Sequence, residues 1–237
     1  MFAKRNMEAD QLKIAFLIMA HNNVELLNDF IQQILRYDKA DIFVHVDKKA
    51  ENMITQIKKA DRIHILEQHI DAAWGDYTQI KMIQLLLDEA YRFGEYDYYS
   101  LHSGVDMLIK PVNDLVEYLS KTRKYGYYDC SKLPAKNWGH GGGLERISLK
   151  YPQIFRKRYQ PQHPIRYIRA MYQMLYQYGI IKGKNFRKIY FYGGSEWFTV
   201  SKQCVERYFN FIKNNQEYDE LFHKAHYGRR NLFFVYI

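Results

Sequence analysis

From Lys13 onward, apolar runs of strand length alternate with stretches whose apolar residues recur at helical spacing, and this alternation restricts the chain to α/β architectures. Lys13 to Ala20 reads as a strand. Val24, Leu27, Phe30, Ile31, Ile34 and Leu35 then repeat at helical intervals, completing a β-α unit. Asp41 to Val46 is the next strand and Arg62 to Leu66 a short third one. Thr78 to Arg92 carries Ile80, Ile83, Leu86, Leu87, Ala90 and Tyr91 on one helix face before Tyr96 to Leu101 returns to strand. Right-handed crossovers turn this βαβαβαβ pattern into a mixed, mostly parallel sheet flanked by helices. Pro111 begins a further helix, Val112 to Leu119, with Asp114 in its first turn. The second half is less regular: Gly139 to Gly143 reads as a flexible loop, Lys188 to Phe191 and Trp197 to Val200 as extended, and Lys202 to Ile212 as helical.

Several strands end in short polar motifs: Ile42-Phe43-Val44-His45-Val46-Asp47, then Ala73-Trp74-Gly75, Leu101-His102-Ser103-Gly104-Val105-Asp106 and Gly193-Gly194-Ser195-Glu196-Trp197-Phe198. An apolar run that stops at a carboxylate delivers it to the carboxyl edge of a sheet, where open α/β folds bind ligands. Asp47 can accept hydrogen bonds from a ribose or a base edge, and it also reads as a surface-loop residue followed by solvated Lys48 and Lys49. Asp106 follows Ser103-Gly104, where glycine permits close backbone approach to a ligand; a capping or turn role suits it equally. Trp74 beside Gly75 suits stacking on a ring or closing the core. Glu196, after two glycines, is aimed at whatever its sharp turn faces.

The 237 residues, 47% hydrophobic, suffice for one ample core. The organisation expected is a polar N-terminal extension, 1–12, and a single domain, 13–237. The longest apolar stretch, Ile14 to Ala20, is too short to span a bilayer, which predicts a cytoplasmic protein. Cys130 and Cys204 stand without a CxxC pair or clustered histidines, so buried free thiols are expected rather than a disulfide framework or a zinc site.

The net charge of +9 is concentrated. Between Tyr151 and Tyr190 there is no Asp or Glu, while Arg156, Lys157, Arg158, Arg166, Arg169, Lys182, Lys184, Arg187 and Lys188 supply nine positive charges. Seven tyrosines share the segment (Tyr151, Tyr159, Tyr167, Tyr172, Tyr176, Tyr178 and Tyr190). Basic residues mixed with amphipathic aromatics suit anionic surfaces, either lipid headgroups or nucleic-acid phosphates, although an ordinary solvated face gives the same composition.

The order of the motifs carries a resemblance. A first strand ending in Ala20-His21, the His45-Val46-Asp47-Lys48 strand end, Trp74-Gly75, the Tyr98 to Asp106 block and Gly194-Ser195-Glu196-Trp197-Phe198 together resemble the core-2/I-branching β-1,6-N-acetylglucosaminyltransferase family (glycosyltransferase family 14), which also holds xylosyltransferases and bacterial polysaccharide enzymes. The resemblance runs from about Lys13 to the C-terminus. It implies a GT-A-like (Rossmann-like) α/β fold and inverting, metal-independent transfer of a sugar, N-acetylglucosamine or similar, from a UDP-sugar to a glycan or lipid-linked acceptor. No cofactor beyond the UDP-sugar donor is implied, and no clear DxD metal motif is seen. His21, Val46, Asp47, Trp74, Gly75, Ser103 and Asp106 would bind the donor, and Ser195, Glu196 and Trp197 the acceptor. A bacterial surface-polysaccharide setting would place the protein in the cytoplasm, peripheral at the inner face of the membrane.

One departure stands out. The family's catalytic base is a Glu in an Asp-Glu motif before an aromatic helix, and here that place reads Tyr227-Gly228-Arg229-Arg230-Asn231-Leu232-Phe233-Phe234. Asp219-Glu220 lies upstream and substitutes poorly. The family's diphosphate-binding Arg and Lys residues would fall beyond Ile237, so the chain reads as C-terminally truncated, with its activity in doubt. One codon choice for Gly228 to Phe234, read one nucleotide later, gives Ala-Asp-Glu-Ile-Phe-Phe, which would make a frameshift the cause. Two other functions stay open: a catalytically inactive nucleotide-sugar-binding or assembly subunit, and an anionic-membrane or nucleic-acid binding module. The last explains the charge but not the strand-end motifs, which makes nucleic acid the less favoured partner.

Overall fold

The computed structural model describes residues 12–73, 76–136, 138, 142–149, 151–156, 159–183 and 190–216. Its strands are β1 (Ile14–Ala20), β2 (Ala40–Val46), β3 (Ile63–Ile65), β4 (Tyr98–Ser103), β5 (Gly126–Tyr128), β6 (Ser131–Lys132), β7 (Tyr192–Gly193) and β8 (Phe198–Ser201). The helices are α1 (Val24–Leu35), α2 (Tyr77–Phe93), α3 (Val112–Thr122), α4 (Glu145–Ser148), α5 (Gln153–Arg156), α6 (Pro164–Gln177) and α7 (Lys202–Asn214), with a 3-10 stretch at Lys48–Gln56. By internal contacts the chain divides into two compact units. One comprises the residues through Asp71 with Met82–Tyr127 and Phe198–Glu206; the other comprises Ala72–Lys81, Tyr128–Trp197 and the residues from Arg207 onward.

The first unit holds a six-stranded sheet in the order β3-β2-β1-β4-β8-β5. β3, β2, β1 and β4 run parallel, and β8 is antiparallel to β4, which gives the mixed, mostly parallel α/β sheet expected from the alternation. β1 is buried along all seven residues, as a central parallel strand covered on both faces requires. One face carries Ile14, Phe16, Ile18, Ile42, Val44 and Val46, in a core shared with Leu27, Phe30, Ile31 and Ile34 of α1 and Val112, Val116 and Leu119 of α3. Side chains of this size each stabilise the fold by roughly 1.5–3 kcal/mol when removed from water.

Local chemistry sets the helix ends. α1 starts at Asn23, left-handed at φ 50°, whose side chain accepts from the N–H of Leu26. Past its last turn, the Arg62 guanidinium donates to the carbonyls of Leu35, Tyr37 and Ala40 at 3.0, 2.6 and 2.9 Å, which ties the α1–β2 connection to β3. Pro111 is the residue before α3 rather than its first, and Asp114 lies in the first turn as expected. The second β-α-β connection departs from the simple pattern, since the segment after β2 is the kinked 3-10 stretch capped by Asp47.

In the second unit β6 and β7 form an antiparallel pair, and a small core joins Leu133, Ile147 and Phe191 to Ala135, Trp138 and Leu144. Gly142 and Gly143 adopt φ +60° and +92° and are buried, and a side chain at Gly142 would meet Pro134 within 2.5 Å. This part of the glycine run is packed rather than loose; Gly139 to Gly141 lie outside the described residues. α6 occupies a stretch read as irregular. Cys130 and Cys204 are free and half-buried, less enclosed than expected. Among the described residues no helix is long and apolar enough to cross a membrane.

Candidate active site

The parallel strands of the first unit end together. Ala20 pairs with Val46 and Met19 with Ser103, so the residues that follow β1, β2 and β4 emerge side by side on one edge. The backbone continues the register: Asp47 N–H donates to the Ala20 carbonyl at 2.8 Å, and Gly104 N–H to the Met19 carbonyl at 2.8 Å. Strand order runs outward from β1 to β2 and β3 in one direction and to β4 in the other. The edge beside β1 and β4 is therefore the switch point at which open α/β sheets bind ligands.

Asp47 is 7% exposed. One carboxylate oxygen, Oδ1, accepts from the Lys49 N–H at 2.9 Å and lies 3.7 Å from the Lys49 ammonium. Lys49 also pairs with Asp71, and this hydrogen bond is the main reason its ammonium is held above the usual lysine range. A polar shelf of Asp47, Lys49 and Asp71 thus sits at the end of β2. Val46 is placed differently from Asp47: its side chain is in the core, and its carbonyl accepts from His69 Nδ1 at 3.0 Å. His21, next after β1, is exposed.

Ser103 and Asp106 meet each other. Asp106 Oδ2 accepts from the Ser103 N–H at 2.9 Å, Ser103 Oγ accepts from the Val105 N–H at 3.3 Å, and the Asp106 N–H donates to the Ser103 carbonyl at 3.1 Å. The turn role is therefore filled in this structure. Gly104 makes its close approach to β1, since a side chain there would stand 3.1 Å from the Ala20 Cα.

Two histidines at this edge were not singled out from the sequence. His45 is fully buried; its Nε2 accepts from the Ile70 N–H at 3.0 Å, which leaves the proton on Nδ1, where no partner is found among the described residues. Burial first, and the neighbouring His69 second, bring its pKa down to about 4. His102 is stacked on Phe16 with its Nε2 2.8 Å from Ser100 Oγ, and burial likewise lowers it to about 4, opposed by Asp106. A polar residue inside an apolar strand run was the available signal for both. His69 carried none, because only the fold brings its loop over the end of β2.

The second unit contains the Gly193-Gly194-Ser195-Glu196-Trp197 motif. A side chain at Gly194 would fall 1.7 Å from the Asp129 carbonyl oxygen, so glycine is required where the chain leaves β7. Ser195 Oγ accepts from the Trp197 N–H at 3.3 Å, Glu196 is 8% exposed and Trp197 is 38% exposed. Trp74 and Gly75 lie outside the described residues, as do Asp219, Glu220 and the Tyr227 to Phe234 stretch.

No curated protein matches the chain. Among solved structures it is similar to 4-diphosphocytidyl-2C-methyl-D-erythritol synthase from Anaerococcus prevotii DSM 20548, at 13% identity over 85% of this chain and 78% of that chain, with a TM-score of 0.39. It is also similar to the mannosyltransferase PcManGT from Pyrobaculum calidifontis in complex with GDP-Man and Mn2+, at 11% identity over 53% of this chain and 37% of that chain, with a TM-score of 0.35. The family profile is the decisive comparison, because it runs through β1, the Asp47 strand end, the Ser103–Asp106 turn and the Glu196 motif alike. With residues 14–234 matched, the chain belongs to the Core-2/I-Branching enzyme family of glycosyltransferases.

Proposed function

We propose that this glycosyltransferase inverts the anomeric centre of a UDP-sugar, N-acetylglucosamine or a close relative, and transfers the sugar without a metal ion to a glycan or lipid-linked acceptor. Bacterial surface-polysaccharide synthesis at the inner face of the membrane is the setting we favour. The observation that carries the reading is the alignment of Asp47 with the Ser103–Asp106 turn on the switch-point edge of one parallel sheet.

In such a transfer the acceptor hydroxyl attacks the anomeric carbon as the bond to the diphosphate breaks, a base takes the hydroxyl proton, and UDP leaves. Asp47, held by the Lys49 N–H at the end of β2, would accept from the ribose or uracil of the donor. His21, the Val46 backbone, Trp74, Gly75, Ser103 and Asp106 complete the proposed donor side, and Ser195, Glu196 and Trp197 the acceptor side. The family's Asp-Glu base motif has no counterpart in Tyr227-Gly228-Arg229-Arg230-Asn231-Leu232-Phe233-Phe234. That observation favours a second reading, a donor-binding subunit without turnover.

Calorimetric titration with a panel of UDP-sugars, UDP and GDP, each with and without divalent metal, tests the proposal. Saturable binding of UDP-sugars that GDP does not share is the expected result. No heat and no thermal stabilisation from any uridine nucleotide would sink it. Binding with no transfer to any acceptor selects the second reading.

A further inference from the structure

Within the second unit, α6 turns its apolar stripe outward. Its N-terminus is conventional: His163 accepts from the Ile165 N–H through Nδ1, and Pro164 fills the first helical position. The inward face is polar and aromatic. Arg169 is 7% exposed and donates to the Phe155 carbonyl at 3.0 Å, Gln173 donates to the Tyr151 hydroxyl at 2.9 Å, and the Tyr172 ring contacts those of Tyr151 and Phe155. The outward face holds Tyr167, Met171, Met174 and Tyr178, which are 66%, 52%, 47% and 74% exposed. Their spacing of four, three and four residues puts them on one line along the helix. Ile168 beside the line and Ile180 just past the helix are exposed as well.

Charge decides what suits this stripe. From Tyr151 to Tyr190 the chain has no acidic residue and nine Lys or Arg, of which Arg169 is buried. A second copy would bring the same positive charge and be repelled. Nucleic acid would satisfy the charge but offer nothing to a row of methionines. An anionic bilayer satisfies both, taking apolar side chains at the acyl boundary, Tyr hydroxyls at headgroup level and cations against lipid phosphates.

We infer that α6 is a membrane-docking helix, which lays Tyr167, Met171, Met174 and Tyr178 into the headgroup boundary of an anionic bilayer. The inference deepens the membrane-side location proposed above and rests on it.

The test is co-sedimentation with phosphatidylcholine vesicles, with and without phosphatidylglycerol, for the wild-type chain and for the pair Met171→Asp with Met174→Asp. The wild type is expected to sediment with anionic vesicles only, and the pair to lower its partitioning by at least about tenfold. Met171→Trp gives an independent readout, a blue shift of indole emission when anionic vesicles are added. Unchanged sedimentation of the aspartate pair, or an unshifted Met171→Trp spectrum, overturns the inference. So does a dimer in gel filtration that the aspartate pair dissolves, which would assign the stripe to a second copy. UDP titration of the same preparations reads the donor site separately: vesicle binding without UDP binding defeats the functional reading alone, and the reverse defeats the docking helix alone.

Discussion

The backbone N–H of Asp47 donates to the carbonyl of Ala20 across 2.8 Å, so the carboxylate that closes β2 is anchored to the last residue of β1. Two observable roles follow from its position, one toward the 3-10 stretch it caps and one toward the donor. Asp47→Asn keeps an oxygen for the Lys49 N–H and is expected to leave the melting temperature nearly unchanged while weakening UDP binding about tenfold. Asp47→Ala should lose the same affinity and, in addition, about 1 kcal/mol of stability from the missing cap. Calorimetry and thermal melts on both variants separate the roles; full affinity in Asp47→Asn would remove Asp47 from the donor site.

Gly194 and Gly104 are close to other backbone for different reasons and should respond differently. A methyl at Gly194 meets the Asp129 carbonyl oxygen at 1.7 Å, which no side-chain adjustment relieves, so Gly194→Ala is expected to cost about 3 kcal/mol or more. At Gly104 the nearest atoms are the Cα and Cβ of Ala20 at 3.1 Å, and a shift of a few tenths of an ångström suffices. Gly104→Ala should cost about 1 kcal/mol. Urea unfolding of the two variants gives the comparison, and equal midpoints would contradict it.

Acid should destabilise the first unit through its buried histidines. His45 and His102 have folded pKa values lowered to about 4 by burial, whereas an unfolded histidine titrates near 6.5. Between these values the unfolded chain binds more protons than the folded one, so stability falls as pH drops from about 6.5 toward 4 and is fully present above that window. For His45, which is fully buried, the loss is on the order of a few kcal/mol. A melting temperature that is flat across this range would be inconsistent with a neutral buried His45, and His45→Gln should flatten the slope.

Metal removal bears on the proposed chemistry. Chelation with EDTA is expected to leave UDP-sugar affinity unchanged within about twofold, because the proposed transfer uses no divalent ion. Affinity that disappears with EDTA and returns with Mn2+ would refute metal independence.

Much of the first unit was legible in the residues. The expected strand Lys13 to Ala20 is β1, Ile14–Ala20; the helix from Val24 to Leu35 is α1; and Asp41 to Val46 lies within β2, Ala40–Val46. The two strands are short, almost continuously buried apolar runs and α1 buries Leu27, Phe30, Ile31 and Ile34 at three- and four-residue spacing, and both patterns are written in the sequence itself. α6 carries the same spacing in Tyr167, Met171, Met174 and Tyr178, and what the residues alone did not show is that this stripe faces solvent while Arg169 is buried. The site was legible as a set of strand ends but not as contacts. The Asp106 carboxylate closes the Ser103 turn, and Val46 offers the core a side chain and His69 a carbonyl.

By itself the sequence determined the alternation of strand and helix, the residues at which strands stop, and membership of a glycosyltransferase family, since all of these depend on side-chain type at short spacing. Only the tertiary structure decided that β4 lies on the opposite side of β1 from β2, that β8 pairs antiparallel beside it, and that His69 and Asp71 close over the end of β2. Those outcomes rest on pairing and burial between residues far apart in the chain, which no local pattern encodes.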